Sequence, residues 1–496
     1  MQLPLPIPDL PPDAAPSEVP PRRRVYVNRN LRFDLVSMVG FDMDYTLAIY
    51  RQEAMDRLSI EATARKLVED LGYPDCLLDA PYRTDFPIRG LLIDRKLGNI
   101  LKMDRHRYVK KAYHGMRELS REERQRRYHS RPVRVSSPRY HWVDTLYGLS
   151  EVAVFAGAIE ALDAAGEDVG RGTLFDDIRR SIDLAHQDGS IVDAIAREPE
   201  RYLIRDPDLA PTFHKLRSAG KRLFLLTNSH AAYTEKVMSY LFDGLLQGYS
   251  SWRSFFDLVV TAAQKPRFFR EDHLAFAAAE AGVADPVDGF ERGVLYRGGC
   301  LAELQRLAGL EGDRVLYVGD HIYGDVLRAK KETAWRTAMI IQEMDQELRV
   351  HEEVTPLLDR MDHLEGVRDL LHEELRSRLA ALRELGRRLE RARETGAPTT
   401  ELGARRVHHR KAVERIKARL RDLDHELEEL EDRVDASFHP FWGSLFKAGP
   451  GVSMFGAQVE QYACVYTDRV SNLLLYSPMH YFRSPRARMP HELTSG

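Results

Sequence analysis

The chain has 496 residues, 43% hydrophobic and 30% charged, with 73 Lys+Arg against 76 Asp+Glu and a formal net charge of -3. That length exceeds what one hydrophobic core serves, so a main domain with at least one large insertion or extension is expected. The balanced charge argues neither for nor against a polyanionic partner, and no apolar run approaches the ~20 residues that a bilayer span needs.

Residues 1–25 come first, and prolines interrupt every apolar run in them while the charge (Arg22–Arg24) comes last. They read as a disordered, extended tail rather than a signal peptide, with a proline-rich ligand for a partner domain as the alternative. An apolar strand, Leu35–Phe41, follows and ends in two carboxylates, Asp42 and Asp44, in "VSMVGFDMDYTLAIY". Along an extended chain, side chains two apart point the same way, so both acids could face one site. Similar runs recur at Lys221–Ser229, Phe256–Pro266, Asp313–His321 and Trp335–Glu343, separated by helical patterns such as Pro211–Ala219 and Tyr233–Phe242. Alternating strand and helix predicts an open α/β parallel sheet with right-handed crossovers and a ligand site at the carboxyl ends of the strands.

Far more chain separates the first and second strands than a crossover needs, which predicts an inserted domain over residues 51–200. Helical patterns fall in it near Met55–Leu71 and Leu174–His186, along with a basic, aromatic-interleaved stretch from Arg105 to Trp142. After residue 350, Leu375, Leu379, Leu382, Gly386 and Leu389 recur at spacings of four and three. Val413, Ile416, Leu420, Leu423, Leu427, Leu430 and Val434 repeat the pattern. Two such runs joined by "TGAPTTELG" predict an antiparallel coiled-coil hairpin over 351–437. Residues 438–496 return to aromatic, apolar composition and should pack on the core or a subunit interface. The main body is then 26–50 plus 201–350.

Chemistry gathers at the strand ends. "VGDHIYGD" places Asp320 and Asp325 after one apolar strand, and four acids together would repel unless a cation held them. Hard oxygen ligands with room for water and phosphate suit Mg²⁺. "LLTNS" offers Thr227, Asn228 and Ser229 at a strand-to-helix turn able to hold an anion, and Lys265 in "AAQKP" could neutralise a phosphate and an aspartate together. Each feature taken singly is as well explained as a helix cap, a turn residue or a solvated lysine. Four in this order, each directly after an apolar strand, are hard to obtain by accident.

The four pieces resemble the motifs of the haloacid dehalogenase (HAD) phosphatase superfamily: D-x-D-x-T, a Thr/Ser, a Lys, and G-D-x-x-x-x-D. "FDMDYTLAIY", "TNSHAAYTEKVMSYLF", "AQKPRFF" and "YVGDHIYGDVLRAKK" are similar, more narrowly, to the cytosolic purine 5′-nucleotidase family. That likeness runs from Arg32 to Met489–Glu492, the hairpin excepted. It implies a HAD-like Rossmannoid sheet with a large inserted cap and a C-terminal helical hairpin. It also implies a cytoplasmic, oligomeric, Mg²⁺-dependent nucleotidase acting on nucleoside 5′-monophosphates, with nucleoside phosphotransfer as a second activity. Asp42 would be the nucleophile and Asp44 the general acid/base. The metal would rest on Asp42, the Asp44 carbonyl and Asp320, with Asp325 supporting its water shell. Thr227 and Asn228 would contact the phosphate, as Ser229 could, and Lys265 would stabilise both phosphate and nucleophile.

In the insertion, Arg179, Asp183 and His186 share one helix face. The resemblance puts them at a base pocket with Tyr147; an Arg179–Asp183 ion pair on a solvated face is the competing reading. Gly148 and Val192 depart from the family pattern, which has an asparagine and a lysine there, and leave the inosine/guanosine preference open. Two other functions compete: a non-catalytic interaction protein, against which the intact acids and Lys265 weigh, and nucleic-acid binding through Arg105–Arg139, which interspersed glutamates dilute. Three cysteines (Cys76, Cys300, Cys464) offer no disulfide framework or metal spacing and read as reduced thiols. His408 and His409 lack partner ligands, and Trp335 and Trp442 read as packing aromatics.

Overall fold

The computed structural model describes residues 19–128, 131–271, 274–279, 287–309, 312–322, 325 and 333–485. Apart from two short two-stranded pairs (Leu31–Arg32 with Tyr481–Phe482, and Lys447–Ala448 with Gly451–Val452), its strands in chain order are β1 (Tyr26–Val27), β2 (Met38–Phe41), β3 (Ile49–Tyr50), β4 (Leu91–Asp94), β5 (Asn99–Met103), β6 (Val109–His114), β7 (Arg117–Glu118) and β8 (Tyr140–Val143). They continue with β9 (Leu203–Ile204), β10 (Arg222–Leu226), β11 (Leu258–Thr261), β12 (Phe276–Ala278), β13 (Leu295–Gly298), β14 (Val315–Gly319), β15 (Arg336–Ile340) and β16 (Val465–Thr467). A nine-stranded sheet runs β1-β16-β15-β14-β2-β10-β11-β13-β12. All neighbours are parallel except the edge pairs β1/β16 and β12/β13. Central strands of a sheet covered on both faces must be apolar throughout. β2 accordingly reads MVGF and β14 VLYVG, buried at every position. Gly40 is needed in β2 because a Cβ there would sit 2.0 Å from the Phe224 ring.

Side-by-side parallel strands β14, β2 and β10 put Asp320, Asp42 and Thr227 at one sheet edge. The expected strand from Leu35 is shorter: Phe33–Leu35 forms a 3₁₀ turn and Leu35 is 56% exposed. Residues 1–18 of the expected tail lie outside the described residues. Its last residues are packed, against expectation: Arg23 donates to Asp208 at 2.7 Å and the Val25 amide to the Tyr476 hydroxyl at 2.9 Å. Polar partners downstream therefore capture what composition alone left loose.

The insertion leaves and rejoins the sheet through an antiparallel pair, β3 with β9. Within it, helices α1 (Gln52–Glu69), α2 (Leu149–Ala165) and α3 (Arg171–Gln187) pack together, and α2 is buried over most of its length. The sequence reading overlooked a five-stranded antiparallel sheet here, β7-β6-β5-β4-β8. It occupies much of the basic stretch. Arg139, from that stretch, forks onto the buried Asp94 at 2.8 and 2.5 Å. On the main sheet, α4 (Leu209–Ser218) leads into β10 and α5 (Ala231–Phe242) leaves it. The described residues up to Asp345, with those from Leu445 on, form one compact unit; Gln346–Ser444 form the other. The C-terminal segment thus contributes β16 to the sheet.

The second unit is a helical hairpin of α6 (Met344–Thr395) and α7 (Thr400–Phe438), turned at Gly396 with φ 69°. Arg360 pairs with Glu426, and Val350 and Val354 cluster with Val434, so the helices run antiparallel. The seven apolar α7 residues from Val413 to Val434 are buried. On α6 the seam differs from expectation. Leu385, Leu389 and Ala392 are buried, whereas Leu379 is 36% exposed and Gly386 is off the seam. The seam also extends back to Val350, ahead of the expected start. A 3.6-residue helix drifts against a strict seven-residue repeat, so a short pattern can settle one position out of register.

Candidate active site

Asp42 leaves the end of β2 with its amide donating to the Val318 carbonyl at 2.9 Å, which fixes it beside β14. Beyond β14, Asp320 and Asp325 return toward it. Asp42, Asp320 and Asp325 are buried, each with a carboxylate oxygen within 4.8 Å of the others. Gly319 allows this approach, because a Cβ there would lie 2.6 Å from Asp325. Lys265 Nζ bridges the cluster, 2.9 Å from Asp42 Oδ1 and 2.7 Å from Asp325 Oδ1, and donates to the Tyr317 hydroxyl at 3.1 Å.

Three buried acids against one ammonium leave excess negative charge. Burial, then Asp325, Asp320 and Asp44, raise Asp42 well above the usual carboxylate range against the pull of Lys265. Burial and then Asp325 push Asp320 up to about 7. Burial disfavours charge on Lys265, yet Asp325 and Asp42 outweigh it and hold the ammonium more firmly than usual. An all-oxygen donor set that is short of positive charge fits a small hard divalent cation.

Asp44 is placed by a turn rather than by strand alternation, a correction to the extended-chain expectation. Tyr45 beside it has φ 57°, a costly conformation for a non-glycine residue, and the chain folds back at once. The Asp44 carboxylate stands apart from the three-acid group and accepts from the Tyr50 hydroxyl and Ser229 Oγ, both at 2.6 Å. Tyr50 in turn pairs with the Tyr233 hydroxyl at 2.9 Å. Ser229, expected near the substrate, therefore orients Asp44. Asn228, expected on the phosphate, is also redirected. Its side chain accepts from the Lys265 amide at 2.6 Å and donates to the Lys265 carbonyl at 3.0 Å, clamping that backbone. Gln264, just before Lys265, is held at φ 58°. Thr227 is fully buried, and its Oγ accepts from the Ser229 amide at 3.0 Å.

On the insertion side, the Tyr147 hydroxyl lies 3.3 Å from both Asp183 Oδ1 and His186 Nδ1. Arg179 does not pair with Asp183, as the competing reading had it. It reaches Glu151 on α2 at 3.4 Å. Tertiary packing supplies a better-buried carboxylate than the helix's own face does. Burial, eased by Arg179, raises Glu151 to about 7, and burial lowers His186, which also feels the charge of Asp44. This cluster and the strand-end acids are therefore electrostatic neighbours.

Besides Tyr50 and Tyr233, the sequence reading did not point to four residues that line the acid cluster: Arg89, Glu343, His321 and Asp144. Arg89 is fully buried, donating to the Asp320 carbonyl at 3.0 Å and forking onto Glu343 at 2.7 and 2.5 Å. His321 sits 3.4 Å from Asp144, which with burial working against it lifts the imidazole to about 9. Arg89 and Asp144 lie in the insertion and His321 and Glu343 at the ends of expected strands, and only the fold brings their charges together.

A central strand ending in a buried carboxylate, joined by a lysine and two more acids from other strand ends, is the arrangement of a HAD-type phosphohydrolase. The chain belongs to the 5' nucleotidase family, whose sequence pattern matches residues 25–494. It is an enzyme of the phosphatase class. A 5'-nucleotidase domain-containing protein of Dictyostelium discoideum is 27% identical over 476 residues, 94% of this chain and 74% of that one. Among solved structures, an archaeal β-phosphoglucomutase from Pyrococcus sp. strain ST 04 is similar at 14% identity, covering 62% of this chain and 87% of its own, with a TM-score of 0.28. CbbY from Rhodobacter sphaeroides, solved with phosphate, is similar at 15% identity over 62% and 86%, with a TM-score of 0.24. No described helix is long and apolar enough to cross a membrane.

Proposed function

We propose that the protein hydrolyses nucleoside 5′-monophosphates, purine ones foremost, through a phosphorylated Asp42. An Asp42 oxygen attacks phosphorus as the P–O5′ bond breaks, and Asp44 gives its proton to the departing oxygen. Water then attacks the phospho-aspartate; Asp44 takes its proton, the aspartyl–phosphorus bond breaks, and phosphate leaves. The Lys265 ammonium offsets charge on the phosphoryl oxygens as the group transfers, and the Thr227 hydroxyl donates a hydrogen bond to them. Tyr50 and Ser229 hold Asp44 in place for both proton transfers. A nucleoside hydroxyl replacing water would yield phosphotransfer. Asp42, Asp320 and Asp325, with the Asp44 carbonyl, would hold Mg²⁺, which supplies positive charge to the phosphoryl group when bound. Tyr147, Arg179, Asp183 and His186 would read the base: a ring to stack, a cation for a carbonyl, and an acceptor for a ring N–H. Free thiols at all three cysteines suit a cytoplasmic setting.

One observation carries this reading: Lys265 bridges Asp42 and Asp325 where three strand ends meet. The test is phosphate release with Mg²⁺ across the common nucleoside monophosphates and a panel of sugar phosphates. Purine monophosphates should be cleaved fastest, and Asp42→Asn should lower the rate by at least about 10³-fold. Cleavage of sugar phosphates alone would overturn the nucleotide assignment, while an unimpaired Asp42→Asn would overturn the mechanism.

A further inference from the structure

The helical hairpin is segregated by charge. Residues 376–421, at the turn, carry 15 Lys+Arg against 5 Asp+Glu. Residues 346–375 and 422–444, at the open end, carry 4 Lys+Arg against 17 Asp+Glu. The halves are thus about +10 and -13, while the rest of the chain, at -3 less (-13 + 10), is neutral. Ion pairs within the hairpin are local: Glu384–Arg388 and Glu414–Lys417 lie inside the basic half and Arg360–Glu426 inside the acidic half, while Glu374–Arg378 sits at the boundary.

Each half repels itself. With burial, Arg378, His408 and Arg405 depress His409 at the turn. At the open end, burial and then Asp435, Glu365, Asp432 and Glu428 raise Glu431. Like charges held side by side along a helix destabilise it unless something opposite covers them. The two halves also share a face. Arg410 and Glu428, like Lys411 and Glu429, lie 18 residues apart on α7, which is five turns at 3.6 residues each, and all four are exposed. Arg415 and Asp432 are exposed beside them. That face lies away from the seam of Val413, Ile416, Leu420 and Leu423.

We infer that this face docks on the same face of a second copy of the chain, antiparallel, about a two-fold axis near residue 420 of α7. A two-fold interface must be self-complementary, residue i meeting j as j meets i. Here the axis lies where the charge changes sign, so each basic half covers the partner's acidic half. An RNA or other polyanion would satisfy only the basic half and would face repulsion from the acidic one. A second copy relieves the self-repulsion of both halves at once.

The test uses the full chain in sedimentation velocity. The wild type should dimerise at roughly 0.1 M salt and dissociate toward 1 M, where charges beyond about 3 Å are screened. Reversing Arg410, Lys411 and Arg415 to Glu should leave a monomer, as should reversing Glu428, Glu429 and Asp432 to Lys; mixing the two variants should restore a 1:1 heterodimer. Circular dichroism of each variant checks that its helices remain. A monomeric wild type at low salt, a dimer indifferent to both reversals, or folded variants that stay monomeric when mixed would each overturn the proposal. So would single-stranded RNA binding that the Arg410/Lys411/Arg415 reversal abolishes without changing sedimentation.

Discussion

Arg89 shows how much one buried side chain can decide. Its guanidinium is wholly enclosed, and its fork joins the backbone of Asp320 to the carboxylate of Glu343. Residues that orient ligands are often worth as much as the ligands. Arg89→Lys keeps the charge and loses the fork. It should raise the Mg²⁺ concentration for half-maximal activity by about 10–100-fold. An unchanged Mg²⁺ titration would mean that Arg89 serves packing alone. Glu343 is partly exposed, so a lysine can stay paired with it and the variant should fold. At the same scale, Arg179→Ala should raise KM for purine monophosphates by roughly 10-fold, about 1.4 kcal/mol, the size expected for a lost hydrogen bond from a charged group. Sugar phosphates, which lack a base, should show no such change; an equal effect on both would remove Arg179 from base recognition.

Among the elements, α1 carries the clearest pH dependence. Asp56 on that helix is buried, accepts from Gln52 at 3.0 Å, and leaves Oδ2 without a partner. Burial raises it to about 7. A carboxyl whose folded pKa exceeds its unfolded value binds its proton more tightly when folded. Its contribution is therefore best below the unfolded pKa and is lost as pH rises from about 4 to about 7. The cost could reach about 4 kcal/mol above that window. Asp56→Asn should flatten this slope in urea unfolding and leave the variant more stable than wild type at pH 8. A parallel decline in both proteins would assign the slope to other groups. The sheet inside the insertion carries a different lesson. Its strands include VKKAYH, where Lys110 pairs with the buried Asp104 at 3.3 Å, and YHWV, just before which Arg139 forks onto the buried Asp94. Period-two patterning failed there because the polar positions are paired inside the protein rather than solvated.

For the whole molecule, the gathered acids set a conflict between stability and activity. Asp42, Asp320 and Asp325 repel one another, and the proposed mechanism needs them close. A cation that binds only the folded state should stabilise it, by about 2.7 kcal/mol at a hundredfold excess over Kd. Mg²⁺ should therefore raise the melting temperature. Asp320→Asn should erase that rise, abolish activity, and melt no lower than the metal-free wild type. Equal Mg²⁺ shifts in wild type and Asp320→Asn would place the ion elsewhere.

Apolar strands each ending in a chemical group were legible in the residues themselves, because a buried parallel strand must be hydrophobic at every position and its end is where polarity returns. Asp42, Lys265, Asp320 and Asp325 could be named on that ground, as could the α7 seam from its spacing. The turn at Tyr45 that swings Asp44 onto Tyr50 and Ser229, the clamp of Asn228 on Lys265, and the Arg89–Glu343 fork could not. Each joins residues whose neighbours in the chain say nothing of their partners, and a pairing across such distances exists only once burial has removed the water that would otherwise solvate both ends.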